Sequence, residues 1–209
     1  MSQQQPSVWT QRYYPRDDGV AFDRVIFFSD AVYAIAITLL VIDLRLPAGA
    51  AELDSAALAR TLWSMWPQLL SYMLSFLVIG TFWSNHHRKF RYINRFDGRL
   101  MWINLLLLMV IAFIPFPTAV IGESGNATAT ILYAGTIVAA SLLTVLLWWY
   151  AQARGLIRAD ASPHTRRMGW IAPLSIAVVF GLSIPLAFYD ADWAKYFWLL
   201  LVPISLWLH

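Results

Sequence analysis

Four side chains of this sequence, Ser29, Asp30, His86 and His87, could bind ions or move protons within or beside long apolar runs. Asp30 lies inside the run 25–46, which is long enough to cross a bilayer. An ionised carboxylate in the hydrocarbon costs at least about 2.5–3.5 kcal/mol. We therefore expect Ser29 and Asp30 to form hydrogen bonds with polar groups at the same end of the protein, for which the candidates are Arg24, Asn85, His86, His87 and Asn104.

The same run has a second face, formed by branched aliphatic residues and one hydroxyl. The face is centred on Ile35, and at 100° per residue it includes Thr38, Leu39 and Ile42, each within about 60° of that residue. Asp30 points about 140° away from Ile35 by the same count. Apolar residues with this spacing occur on any buried helix, and a Thr hydroxyl on such a helix often bonds the carbonyl four residues earlier. Ordinary packing therefore explains this face as well as a functional role does.

The position of Ser29 and Asp30 also bears on where the first helix begins. Either residue could cap a helix that starts at Ala31. Such a helix would have about 16 residues up to Leu46 and a length of about 24 Å. This is shorter than the hydrocarbon core, which is about 30 Å thick. We therefore predict that the first helix begins before Ala31.

The adjacent histidines His86 and His87 do not have the spacing of a metal site. Neighbouring residues of a helix point about 100° apart and cannot share one ion as an i, i+4 pair can. As hydrogen-bond partners of Asp30 they would make its surroundings sensitive to pH. The sequence has no cysteine, and it has no nucleophile with its base, phosphate loop or paired-carboxylate site. We predict that the protein is not an enzyme and needs no metal or other cofactor.

Composition indicates a membrane protein. Hydrophobic residues make up 59% of the 209 and charged residues 13%, whereas soluble domains are about 45–50% apolar and about 25% charged. The 11 Trp and 9 Tyr residues suit aromatic belts at the membrane surfaces. The net charge of +3 does not indicate nucleic-acid binding, because the basic residues lie in short segments between apolar runs.

The apolar runs predict an all-α membrane protein with six transmembrane helices. The predicted spans are 25–46, 62–83, 100–121, 130–153, 168–189 and 193–209, and the third is bent or ended near Pro115 and Pro117. The basic stretch 86–99 is predicted to be a cytoplasmic loop. Residues 1–23 are predicted to be a retained cytoplasmic segment, because the apolar run that follows is too long for a signal peptide. Residues 24–209 would form the six-helix domain.

The distribution of basic residues predicts the orientation of the chain. Twelve of the 15 Lys and Arg residues fall in segments on one side of the six spans. The other three are Arg45, Arg60 and Lys195. Because basic residues are enriched in cytoplasmic segments, both termini are predicted to lie in the cytoplasm.

Arg24, Phe28, Ser29 and Asp30 form the pattern RxxxFSD, which is followed by AVYAIAITLLVIDLRLP. This stretch resembles the first helix of the transmembrane protein 175 family, which comprises endolysosomal potassium channels of animals and shorter prokaryotic relatives with six helices per chain. His86 and His87, within FWSNHHRKF, resemble the next recognisable stretch of that family. The resemblance implies a prokaryotic member in a bacterial plasma membrane.

The resemblance implies a homotetrameric, passive, potassium-preferring channel whose first helix lines a central pore. It assigns Ile35, Leu39 and Ile42 to a hydrophobic constriction that blocks ions by losing its water. Thr38 would offer its hydroxyl to the pore. The sequence has no TVGYG-like filter, so we expect weak selectivity. The expected partners are other copies of the chain, membrane lipid and monovalent cations, among them the permeant potassium ions, and not nucleic acid.

Two alternatives use the same residues differently. A proton-coupled secondary transporter could use Asp30 with His86 or His87 as a relay, because ionisable residues inside a membrane are functional candidates. Transporters usually contain paired repeats and interrupted helices, and we find neither in this sequence. A membrane-embedded enzyme built on Asp30 and one histidine would need a substrate-specific motif, which we do not find.

Overall fold

A computed structural model describes residues 14–15 and 20–201, and most of these residues are helical. The α-helices are α1 (Val20–Leu39), α2 (Ser55–Ser64), α3 (Trp66–Tyr92), α4 (Gly98–Phe113), α5 (Pro115–Ser124), α6 (Ala127–Ala153), α7 (Pro163–Ala187) and α8 (Ala191–Phe197). Short 3-10 helices cover Leu40–Asp43, Ala50–Glu52 and Trp198–Leu200. Strands β1 (Tyr14–Pro15) and β2 (Arg95–Phe96) form an antiparallel ribbon that the sequence analysis did not predict. Apart from this ribbon, the all-α prediction is confirmed.

Four helical stretches of the described residues are long enough and apolar enough to cross a membrane. They are Phe22–Asp43, Gly98–Ser124, Ala127–Ala153 and Pro163–Ala187. Helices α2 and α3 are bent by 49° relative to each other, and together they form a fifth candidate span. The sixth predicted span, 193–209, begins in α8, and its residues 202–209 lie outside the described residues. The described part of the chain thus contains four or five of the six predicted spans.

The helix boundaries confirm one prediction and correct another. Helix α1 begins at Val20, so the prediction of a start before Ala31 is confirmed. Helix α3 continues to Tyr92 and α4 begins at Gly98, so the prediction of a loop over 86–99 is wrong for residues 86–92 and 98–99. Arg88 and Arg91 are exposed and reach water although the helix continues, whereas Lys89 is buried. Basic residues also interact favourably with the C-terminal end of the helix dipole.

The third span is interrupted beside Pro115, as predicted. Helix α4 ends at Phe113 and α5 begins with Pro115, because proline lacks the N–H that would continue the hydrogen-bond ladder. Pro173 and Pro185 lie inside α7 without ending it. Helices in membranes tolerate such residues when neighbouring groups satisfy the freed backbone carbonyls.

The turn between α3 and α4 is fixed to the segment after α6 by backbone hydrogen bonds. The amide of Asn94 donates to the carbonyl of Leu156 at 2.8 Å, and the amide of Arg158 donates to the carbonyl of Tyr92 at 2.9 Å. Asp97 caps α4, because its Oδ1 accepts from the amide of Leu100 at 2.8 Å. These bonds hold the ends of α3, α4 and α6 together.

Helices α6 and α7 approach each other closely at Gly169. The indole of Trp148 is buried, and its Nε1 donates to the carbonyl of Arg166 at 3.0 Å. A Cβ atom at Gly169 would overlap that indole ring. The close contact of the two helices therefore requires glycine at this position.

Gly169→Ala is expected to lower the thermal unfolding temperature of the purified protein in detergent, because overpacking a buried site costs about 1–3 kcal/mol. Gly135→Ala on α6 is the matched control, since a Cβ there would meet nothing within 4 Å. The control is expected to melt at the wild-type temperature or slightly above it, because Gly is about 1 kcal/mol worse than Ala inside a helix. Equal melting temperatures for Gly169→Ala and wild type would contradict this account of the α6–α7 contact.

Candidate functional site

Helix α1 is buried on one side only. Phe22, Ser29, Tyr33 and Ala36 on α1, and Leu40 at the start of the 3-10 helix that follows, are each at most 2% exposed. At 100° per residue the four side chains of α1 fall within an arc of about 60°. This arc packs against α3, α4 and α5 and fixes which residues α1 presents on its other side.

The other side of α1 carries the residues that the family resemblance assigns to a constriction. Ile35 and Leu39 on α1 are 57% and 39% exposed, and Ile42, in the 3-10 helix Leu40–Asp43 that follows α1, is 52% exposed. Only 22% of the apolar window of this span is buried within the subunit, against 50% for the spans Gly98–Ser124 and Ala127–Ala153. The subunit alone therefore leaves α1 less covered than these two spans, although all three have a mean hydropathy above 2.

Thr38 lies on the exposed side of α1, and its hydroxyl is oriented by its own helix. Its Oγ1 donates to the carbonyl of Ile35 at 2.9 Å. A Thr hydroxyl has one hydrogen to donate and two lone pairs that accept. The bond to Ile35 therefore occupies the hydrogen and leaves the oxygen able to accept a hydrogen bond or to coordinate a cation.

A chain of buried hydrogen bonds joins α1 to α3 and α4. Ser29 Oγ donates to the carbonyl of Val25 at 2.8 Å and accepts from Asn104 Nδ2 at 3.0 Å. Asn104 Oδ1 lies 2.8 Å from His86 Nε2. The ring of His86 packs against that of Tyr33, with 5.4 Å between the centroids. The structure thus brings together three of the polar residues that the sequence analysis considered: Ser29, His86 and Asn104.

The other residues of the predicted polar group lie elsewhere. Asp30 is half-buried, and its Oδ1 accepts from the indole Nε1 of Trp83 at 2.9 Å. The ring of exposed His87 lies 5.8 Å from that of Trp83. Asn85 accepts a hydrogen bond from Arg88. Arg24 and Phe28 are exposed on α1.

Sequence reasoning missed Trp83 as the partner of Asp30. A Trp three residues before His86 is a possible signal, because an indole N–H in a membrane usually finds an acceptor. It also missed a second group of hydroxyls between α3, α5 and α6. Ser75 Oγ lies 2.8 Å from Thr118 Oγ1 and 3.0 Å from the hydroxyl of Tyr133. Among the described residues, no group of three His, Asp or Glu side chains could hold a metal ion.

Asn104→Leu is expected to lower the thermal stability of the purified protein, because it removes the bonds to both Ser29 and His86. Hydrogen bonds between membrane helices contribute about 0.6 kcal/mol on average and at most about 1.7 kcal/mol, so we expect a loss of roughly 1–2 kcal/mol. Thr144→Val is the control, since the buried Thr144 hydroxyl bonds only the carbonyl of Ala140 in its own helix. If Asn104→Leu is as stable as Thr144→Val, the chain of hydrogen bonds does not hold α1 in place.

A family profile described as endosomal/lysosomal potassium channel TMEM175 matches residues 24–115. A Streptomyces collinus protein named as a potassium channel is 38% identical over 170 residues, which are 77% of this chain and 81% of that protein. A mouse protein named endosomal/lysosomal proton channel TMEM175 is 34% identical over 98 residues, 44% of this chain and 20% of that protein.

The fold is also similar to a solved structure. The crystal structure of a lysosomal potassium-selective channel TMEM175 homolog from Chamaesiphon minutus has a TM-score of 0.78 and 29% identity, and the similarity covers 90% of this chain and 98% of that one. The family that the RxxxFSD stretch resembles is thereby confirmed, and the structural similarity extends over 90% of this chain. This chain belongs to the TMEM175 family.

Proposed function

We propose that this chain is the subunit of a passive, potassium-preferring cation channel in a bacterial plasma membrane. The Streptomyces relative, which matches most of this chain, is named as a potassium channel, and the Chamaesiphon structure is titled as that of a potassium-selective channel. The mouse relative is named as a proton channel, but it matches only 44% of this chain. We therefore propose potassium, the ion named for the two relatives that match the larger share of this chain.

The single observation that carries the proposal is the exposed side of α1. This span is highly apolar, with a mean hydropathy of 2.4, yet its subunit buries only 22% of its apolar window. A homotetramer with α1 of each subunit at the central axis would cover the flanks of α1 with neighbouring subunits. Ile35, with more than half of its surface exposed, would then face the axis.

In this arrangement Ile35, Leu39 and Ile42 form a hydrophobic constriction. A narrow apolar neck loses its water and blocks ions without a plug. Thr38 lies about one turn from Ile35 on the same side, and four Thr38 oxygens would replace part of the hydration shell of a cation. We expect weak selectivity from such a ring, since backbone carbonyls contribute no filter there.

The proposed topology has six spans with both termini in the cytoplasm. Residues 1–23 and the basic segments around the α3–α4 turn and after α6 would lie on the cytoplasmic side, as the excess of Arg and Lys in these segments favours. The sixth span of this topology is 193–209, of which residues 202–209 lie outside the described residues.

The alternative of a proton-coupled transporter needs Asp30 and a histidine in one relay. Asp30 instead accepts from Trp83, and His86 bonds Asn104. Within the described part of the chain, no ion pair joins Asp30 to His86 or His87. The hydrogen bonds therefore favour a structural role for these residues, in which they hold α1 and affect the pore indirectly.

Ile35→Asn is expected to enlarge the single-channel current, or the time spent open, of the purified protein in a lipid bilayer. An amide keeps water in the neck, and each 1.4 kcal/mol removed from the barrier raises the flux about tenfold. The measurement is made under opposing potassium and sodium gradients, so that the reversal potential reports selectivity at the same time.

Leu182→Asn on α7 is the matched control, because Leu182 is exposed to a similar extent (54%) on a helix that the proposal places away from the pore. Its currents are expected to equal those of wild type. Silent wild-type and Ile35→Asn proteins, together with saturable uptake driven by a proton gradient in vesicles, would replace the channel with a transporter.

Thr38→Val is expected to move the reversal potential towards zero under a potassium/sodium gradient, because it removes the oxygen and keeps the shape of the side chain. Thr38→Ser keeps the oxygen and is expected to preserve most of the preference. Thr81→Val is the control, since Thr81 has the same kind of bond to its own helix, with the carbonyl of Leu77 at 2.8 Å. An unchanged reversal potential in Thr38→Val would exclude the hydroxyl from selectivity.

A further inference from the structure

Two exposed arginines from different helices lie at the end of the protein that contains the α3–α4 turn. Arg99 is in the first turn of α4, and Arg154 is the residue that follows α6. These two helix ends are joined by a hydrogen bond, in which the hydroxyl of Tyr150 donates to Asp97 Oδ2 at 2.7 Å. The two arginines therefore lie on adjoining helix ends, two residues after Asp97 and four residues after Tyr150.

Asp97, two residues before Arg99, does not neutralise these arginines through an ion pair. Asp97 is 8% exposed, its Oδ1 accepts from the amide of Leu100, and its Oδ2 accepts from the hydroxyl of Tyr150 at 2.7 Å. The ion pairs found among residues 20–201 join Arg158 to Asp160 and Lys195 to Asp192. Arg99 and Arg154 thus present positive charge outwards, where a partner of negative charge would fit.

The surface beside Arg99 indicates where in the membrane this charge lies. Trp102, three residues further along α4, is 69% exposed. Exposed tryptophans are enriched at the level of the lipid headgroups. Beyond Trp102 the large exposed side chains of α4 are Leu106, Met109 and Phe113. They lie on the same face as Trp102, and this face extends about 16 Å from Trp102 to Phe113. An apolar strip with Arg99 at its end, and with Arg154 on the adjoining helix end, matches a molecule with a charged head and a hydrocarbon tail.

We propose that Arg99 and Arg154 bind the phosphate of an anionic phospholipid in the cytoplasmic leaflet, with an acyl chain along the Trp102 face of α4. A free phosphate ion would satisfy the arginines but not the exposed apolar strip. The proposal rests on the orientation given above, in which the α3–α4 turn is cytoplasmic. Binding is measured without any current, so its failure is distinguishable from a failure of the channel proposal.

The test is native mass spectrometry of the purified, intact oligomer with added phosphatidylglycerol or phosphatidylcholine. Wild type is expected to bind phosphatidylglycerol more tightly. In the double variant Arg99→Gln/Arg154→Gln, the ratio of the affinities for phosphatidylglycerol and phosphatidylcholine is expected to fall about thirty-fold. The reason is that each basic residue near an anionic membrane contributes about 1 kcal/mol. Arg99→Lys/Arg154→Lys keeps both charges and is expected to retain most of the preference.

The matched control is Arg45→Gln/Arg60→Gln, which removes two exposed arginines from the other end of the protein. It is expected to bind phosphatidylglycerol as wild type does. Equal binding of the two lipids by wild type would overturn the proposal, and this comparison needs no variant to fold. An equal loss in the control, or displacement of phosphatidylglycerol by inorganic phosphate at the same concentration, would also overturn it.

Discussion

The hydrogen bonds from Ser29 through Asn104 to His86 fix the rotation of α1 about its own axis. Hydrocarbon offers no replacement partners, so polar groups at this depth must be satisfied within the protein. A rotation of α1 by one residue, about 100°, would remove Ser29 from Asn104. With Ser29 held inwards, Ile35 and Thr38 must point away from the subunit. The hydrogen bonds on the buried side of α1 thus determine which of its residues are exposed.

The two exposed surfaces that the proposals use differ in chemistry. The exposed side of α1 is mostly apolar around Ile35, with one oriented hydroxyl at Thr38, which suits neighbouring subunits and an ion path. The end of α4 combines Arg99 with exposed Trp102, which suits the boundary between headgroups and acyl chains. Asp97 joins the start of α4 to the end of α6, because it caps α4 and accepts a hydrogen bond from Tyr150 on α6.

Sequence reasoning predicted two features that depend on one helix alone. The early start of α1 followed from the thickness of the membrane, and the break at Pro115 followed from the missing N–H of proline. The bend between α2 and α3 was missed, because the run 62–83 is apolar on both sides of the bend. Pro67 at the start of α3 was a signal for it, since proline is common in the first turn of a helix. The bond from Trp83 to Asp30 was missed because periodicity gives the direction of a side chain but not the residue opposite it on another helix.

If α1 of every subunit meets at one axis, as we propose, cysteines placed at position 35 lie close enough to bind one metal ion together. The sequence has no cysteine, so Ile35→Cys gives each subunit a single thiol, and thiolates bind soft metal ions tightly. We predict that Cd²⁺ blocks the current of Ile35→Cys, that a chelator restores it, and that Leu182→Cys is not blocked. A conducting Ile35→Cys channel that Cd²⁺ leaves unchanged, or equal block of Leu182→Cys, would contradict a pore lined by α1.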